Sequence, residues 1–219
     1  MYPLAELKLI ADVSFPTQWA VFRLLAFQAN RQTEPEQTAL ALTLGDFTSE
    51  PPMVRIHSQC ITGEVFHSLR CDCMEQLHFS LRAISKQGAG VVIYEQQEGR
   101  GIGLLEKLRA YQLQDQGLDT IEANLMLGHE VDLRDYQLPV HILRFLQINS
   151  LRLITNNPDK IRSVERAGIR IVERIPADAL VSPFAANYVS VKREKLGHFT
   201  NTLDILPGSA KHVWHAEPG

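Results

Sequence analysis

Residues 90–117, GVVIYEQQEGRGIGLLEKLRAYQLQDQG, contain the local order that decides the fold. GVVIYEQQ is short and almost continuously apolar at its start, the pattern of a strand buried on both faces. LLEKLRAYQLQDQ reads as a helix that stops at Gly117. Between them Glu98-Gly99-Arg100-Gly101-Ile102-Gly103 makes a tight strand-to-helix turn. Strand, glycine turn and helix in immediate succession are the unit of an α/β sheet.

The same alternation runs outward on both sides. Upstream, MVRIHSQC (53–60) is a strand, and residues 72–88 form an amphipathic helix with Leu77, Leu81 and Ile84 on one face, ended by Gly88. Downstream, HILRFLQIN (141–149) is helical and SLRLITNN (150–157) is a strand. PDKIRSVERAG (158–168) is a helix opened by proline and closed by glycine, and IRIVERI (169–175) is a strand. WAVFRLLAF (19–27) and TALALTLGDF (38–47) are β-rich and separated by the polar QANRQTEPEQ, a hairpin or meander. The expectation is one α/β domain in three layers, a mixed β-sheet flanked by helices, over residues 1–203. The aperiodic tail 204–219 is expected to be mobile.

Composition narrows the function. The chain has 219 residues, 45% of them hydrophobic, enough for a full core without disulfide staples. No apolar run approaches a membrane span. The N-terminus carries Glu6 and Lys8 within its apolar stretch and lacks a basic start, unlike a signal peptide. The formal charge of −3 opposes a general nucleic-acid coat, so an anionic ligand needs a local cluster of basic groups. The expected setting is a reducing cytoplasm, with neither nucleic acid nor membrane as partner.

All three cysteines lie together, at Cys60, Cys71 and Cys73. A Cys-x-Cys pair closes on itself only with strain, and an odd number without a secretory signal opposes a disulfide framework. Three thiolates suit zinc. Three readings stand: buried apolar cysteines, a structural zinc closed by His57 or His67, and a catalytic zinc with one open position. The polar flanks Gln59, Arg70 and Asp72 oppose the first.

Other stretches bear on anions. In the glycine turn, backbone amides and the Arg100 fork suit a phosphate, although a plain tight connection reads equally well. Arg55 and Lys160 stand near strand ends or helix starts, where open α/β sheets collect ligands. Lys160 in a first helical turn opposes the helix dipole, which an anion would relieve; a solvated lysine is the competing reading. Asp132-Leu133-Arg134-Asp135 reads as a surface network, and Tyr111 as a core aromatic, when each is taken alone.

Together these stretches resemble the GTP cyclohydrolase II family, which opens the guanine ring of GTP at the start of riboflavin synthesis. The matching segments are RIHSQC (55–60), ITGEVF (61–66), SLRCDC (68–73), residues 94–124, LGHEVDLRDY (127–136) and LRLITNNPDKI (151–161). A looser likeness continues through KREKLGH (192–198). The resemblance implies that Cys60, Cys71 and Cys73 hold a catalytic Zn2+, whose chemistry makes water acidic enough to attack C8 of guanine. It implies release of formate and pyrophosphate, leaving a diaminopyrimidine ribosylamino phosphate, with Mg2+ on the triphosphate.

By the same carry-over Arg134 acts on the α-phosphate as nucleophile, with Asp132 accepting its proton, and Tyr111 assists ring opening. Electrostatic stabilisation is the competing role for Arg134. Arg55, Ile56, His57, Ser58, Gln59, Gln76, Glu98, Gly99, Arg100, Thr120, Glu122, Thr155 and Lys160 surround GTP. Glu122 can accept from N1–H and the 2-amino group of guanine, a donor pair that adenine lacks. A homodimer is implied as well. Gln59 and Met74 stand where the family commonly has glutamate and glycine. A paralogue with an altered product, and a GTP-binding regulatory module with structural zinc, are the alternatives.

Overall fold

The apolar run opening at Gly90 forms the middle strand of a seven-stranded mixed sheet. The computed structural model describes residues 6–31, 34–177 and scattered positions between 182 and 199. The expected tail 204–219 lies outside them. The strands are β1 (Glu6–Pro16), β2 (Val21–Arg31), β3 (Glu34–Leu44), β4 (Met53–Ser58), β5 (Gly90–Glu95), β6 (Ser150–Ile154) and β7 (Arg170–Ile175), in the order β1-β2-β3-β5-β4-β6-β7. β1, β2 and β3 form an antiparallel meander, and β3 joins β5 antiparallel. The strands β5, β4, β6 and β7 are parallel.

Alternation along β5 explains the three layers. Val91 and Ile93 join a core with Val54, Ile56, Leu151 and Leu153 beneath α5 (Gln137–Phe145) and α6 (Pro158–Arg166). Val92 faces the other way, to Leu81 and Ile84 of α2 (Cys73–Gln87). Side chains of successive strand residues point to opposite faces, so a strand covered by helices on both sides is apolar at every position.

The connections put a crevice at one end of the sheet. The chain leaves β4, crosses by α2 to β5, then returns by α5 on the opposite face to β6, on the far side of β4. Such a reversal of strand order opens a gap at the carboxyl ends of the strands, where α/β sheets bind ligands.

Element boundaries follow local chemistry. α6 begins at Pro158 with Asn157 as N-cap, its Oδ1 accepting from Asp159 N at 2.7 Å. α2 ends on Gly88 at φ 79°. The expected helix at 141–149 instead spans Gln137–Phe145. Pro139 sits in its first turn, where the missing N–H has no helical partner to lose, and Gln147 at φ 59° ends the run. Two short helices have no counterpart in the sequence reading: α1 (Ile61–Glu64) and α4 (Thr120–Met126). α3 (Leu104–Asp115) matches its expectation closely.

Ile142 is fully buried between α5 and the sheet. Ile142→Ala is expected to lower stability by about 2–5 kcal/mol, from lost transfer energy and an unfilled cavity; urea unfolding followed by circular dichroism measures it.

Candidate active site at the carboxyl ends of the parallel strands

The cleft is built from the ends of β4, β5 and β6. Strand β4 supplies Arg55, with 5% of its surface exposed, and His57, with 2%. The Arg55 guanidinium donates to the Ile154 carbonyl at 3.1 Å and to Gln76 Oε1 at 2.6 Å. Burial pulls its pKa down to about 10, so it stays charged at neutral pH. Ser58 Oγ is buried without a hydrogen-bond partner among the described residues, at the cleft wall. Lys160 is 4% exposed and donates from Nζ to the Ile56 carbonyl at 2.8 Å. Burial, then the charges of Arg55 and Arg134, push its pKa below the ordinary lysine value. The solvated-lysine reading is thereby excluded.

Arg100 arrives on a left-handed turn. Gly99 and Arg100 both have φ 63° and Gly101 has φ 93°. A Cβ on Gly101 would lie 3.1 Å from the Leu133 backbone, and the Arg100 carbonyl accepts from Leu133 N at 3.0 Å. Glycine is required here because the chain doubles back against a second segment. That segment presents Arg134, whose guanidinium grips Asp132 through Nε at 2.8 Å and through Nη2. Burial raises the Asp132 pKa, but the hydrogen bond and charge of Arg134 outweigh it and hold the carboxyl below its ordinary value. Among the described residues six basic side chains line the cleft, namely Arg55, Arg70, Arg100, Lys107, Arg134 and Lys160, with Glu98 as the one carboxylate.

At the other end of the cleft the thiols of Cys60, Cys71 and Cys73 lie within 4.8 Å of one another, Cys60 and Cys71 at 3.6 Å. Zinc–sulfur bonds of about 2.3 Å in a tetrahedron set sulfur atoms about 3.8 Å apart, so the donor set fits zinc. Gly63 lies beneath: a Cβ there would be 2.9 Å from Cys71 Sγ and 3.3 Å from Cys60 Sγ. As free thiols the three share one charge. Hydrogen bonds from Cys71 and Cys73 pull Cys60 far down, whereas bonding to Cys60 pushes Cys71 up to about 11.

Neither candidate histidine closes this set. His57 Nε2 meets Glu64 Oε1 at 2.8 Å, and burial lowers its pKa to about 4, keeping it neutral. Glu64 also accepts from Cys60 N at 3.0 Å and from the Tyr94 hydroxyl at 2.6 Å, fixing the loop around the thiols. His67 is exposed. Among the described residues the metal-ligating cluster holds the three cysteines alone.

Most of the expected residues converge. Arg55, His57, Ser58, Gln59, Gln76, Glu98, Gly99, Arg100, Tyr111, Thr120, Arg134, Thr155 and Lys160 line one cleft with the cysteines. Tyr111 is not a core aromatic: its hydroxyl lies 3.4 Å from Thr62 Oγ1 and Arg70 sits over its ring. Burial pushes its pKa up to about 12. Ile56 contributes its carbonyl to Lys160, and Asp132 stands behind Arg134.

Glu122 is the departure. It is exposed, and its carboxylate caps α4, accepting from Asp119 N at 2.9 Å while Asp119 accepts from Glu122 N. The sequence reading missed this box although its D-x-x-E spacing announces it. It also missed Lys107, whose Nζ reaches Cys60 Sγ at 3.1 Å, Thr62 Oγ1 at 2.8 Å and Glu98 Oε1 at 2.7 Å. One turn before Tyr111 on α3, Lys107 could have been found by helical spacing.

Fold and site define an α/β protein that gathers a thiol triad and buried cations in one crevice at a topological switch point. Residues 8–176 match the family model described as GTP cyclohydrolase II. The chain is 44% identical over 197 residues to a GTP cyclohydrolase-2 from Histophilus somni, covering 90% of each. It is 45% identical over 196 residues to one from Pasteurella multocida, covering 90% of this chain and 89% of that protein. A riboflavin biosynthesis protein RibBA from Parabacteroides distasonis is 44% identical over 193 residues, 88% of this chain and 47% of that longer protein. The chain belongs to the GTP cyclohydrolase II family and is an enzyme of that family.

Gly101→Ala is expected to cost about 1–3 kcal/mol, because an L side chain is strained at that φ and meets Leu133. Urea unfolding against the parent measures the loss, and Gly128→Ala, also at positive φ but with open space around it, isolates the part due to Leu133.

Proposed function

We propose that this cleft binds GTP and opens its guanine ring by hydrolysis, releasing formate and pyrophosphate, at the entry to riboflavin biosynthesis. The observation that carries this reading is the thiol triad facing the same cleft as Arg55, Arg100, Arg134 and Lys160. An anionic nucleotide laid along it has its phosphates among the cations and its base toward the thiols. Cys60, Cys71 and Cys73 would hold Zn2+. Zinc there supplies a Lewis acid that makes water nucleophilic near neutral pH. Mg2+ travels with the triphosphate.

The side chains take distinct parts. Arg134, held in place by its paired grip on Asp132, stabilises negative charge at the α-phosphate. This arrangement favours electrostatic stabilisation over nucleophilic attack, since a protonated guanidinium has no lone pair to offer. Tyr111 stays protonated and donates a hydrogen bond toward the opening ring. Ser58 Oγ and Thr155 supply neutral contacts. Glu122 reads the guanine edge once its carboxylate turns from the α4 cap into the cleft beside Thr120. A homodimer in the cytoplasm completes the reading. Against a regulatory module with structural zinc, the support is that His57 is engaged by Glu64 and His67 is exposed.

Incubation of the pure protein with GTP and Mg2+, assaying formate and pyrophosphate separately, tests the reaction. Cys71→Ser is expected to lower zinc content and abolish formate release while circular dichroism is unchanged. Undiminished formate release would remove the thiols from the chemistry. Glu122→Gln is a clean test of base recognition, because glutamine also satisfies a capping box. It is expected to weaken GTP binding by about 1–3 kcal/mol, read by titration calorimetry; unchanged affinity assigns the carboxylate to the helix alone.

A further inference from the structure

The two arginine-bearing segments of the cleft are tied together by one side-chain amide. Gln97 lies just past the end of β5. Its Oε1 accepts from Asp135 N at 2.8 Å, and its Nε2 donates to the Asp135 carbonyl at 2.6 Å. The same Nε2 donates to Glu95 Oε1 at 2.7 Å. A single amide therefore holds both backbone polar groups of Asp135, as a neighbouring strand would, and Glu95 fixes which way that amide faces. Two residues before Asp135, the Leu133 N–H is bound by the Arg100 carbonyl. Arg134 lies between these two fixed points.

We propose that Gln97, oriented by Glu95, is a positioning residue that sets the depth of Arg134 in the cleft and its register with Arg100. The proposal rests on reading the cleft as a nucleoside triphosphate site. Its physical basis is the direction of each hydrogen bond. Nε2 must face two acceptors and Oε1 a donor, so the amide has one workable orientation. Glutamate at this position keeps the shape but sets a carboxylate against the Asp135 carbonyl and Glu95. Glu95 itself is 2% exposed, and its Oε2 has no hydrogen-bond partner among the described residues. Burial, opposed by the charge of Lys160, pushes its pKa up to about 8. Its Oε1 is the acceptor that orients the Gln97 amide.

The test measures kcat and KM for GTP, with pyrophosphate and formate followed separately. Gln97→Glu is expected to lower kcat for pyrophosphate release about a hundredfold, the scale of an ångström-sized misplacement, with KM within about threefold of the parent. Glu95→Leu is expected to behave likewise, and Glu95→Gln, which retains an acceptor for Gln97, to lose at least tenfold less. The deciding measurement is a double-mutant cycle. If Gln97 acts through Arg134, Gln97→Glu adds little to the loss caused by Arg134→Ala. Multiplying losses would overturn the proposal, as would full pyrophosphate release by Gln97→Glu. Should Gln97→Glu not fold, Gln97→Met, which removes the bonds without adding charge, enters the same cycle. Failure of the parent protein to turn over GTP would instead sink the functional reading, whereas an active parent indifferent to residue 97 sinks only this inference.

Discussion

A lysine ammonium buried against the carbonyl of a core strand is the point on which this structure turns. Lys160 Nζ donates to Ile56 O at the end of β4, and Arg55 of the same strand donates to Ile154 O at the end of β6. Parallel strands end in carbonyls without ladder partners, and these ends accept the two cations. Burying unpaired positive charge is costly. The carbonyl ends lower that cost, while burial still pulls the pKa of both side chains down, and a bound anion would offset that pull. A salt bridge at either place would have cancelled the field that the cleft requires.

The thiol triad answers the opposite problem. Three sulfurs brought within a few ångströms cannot all be ionised without a cation, and the donor set can hold one. Gly63 has no Cβ to press on the Cys60 and Cys71 sulfurs, Glu64 fixes the loop by its bonds to Cys60 N, His57 and Tyr94, and Lys107 approaches Cys60 from α3. Basic side chains and thiols thus share one crevice. The reversal of strand order is what opens it.

Much of this was legible in the residues. The apolar run of β5, the Gly88 and Pro158 punctuation and the clustered cysteines each report a local cause: burial on two faces, helix ends, a shared ligand. Helical spacing puts Lys107 on the face of Tyr111, but its contact with Cys60, like the bonds of Glu64 to Cys60 N, His57 and Tyr94, depends on which helix face meets the cysteines, a fact set by tertiary packing. Glu122 shows the converse. Its expected role rested on sequence position, whereas its contact in the structure is with the N–H at the start of its own helix. Tyr111 and Lys160 look ordinary in isolation and acquire meaning only once the sheet brings residues from positions 55 to 160 to one edge.

Among the described residues, none before Arg55 lines the cleft. The antiparallel meander of β1 to β3 nonetheless makes up nearly half of the sheet's strands and pairs directly with β5. The molecule is therefore divided into two territories with different tolerances for drift. Changes in the meander reach the cleft indirectly, through β5 and through α2, where Phe22 packs with Leu81 and Ile84, and are judged first by packing. Changes beyond β4 are judged atom by atom. Two descendants of this fold can diverge widely in their first fifty residues and still be the same catalyst.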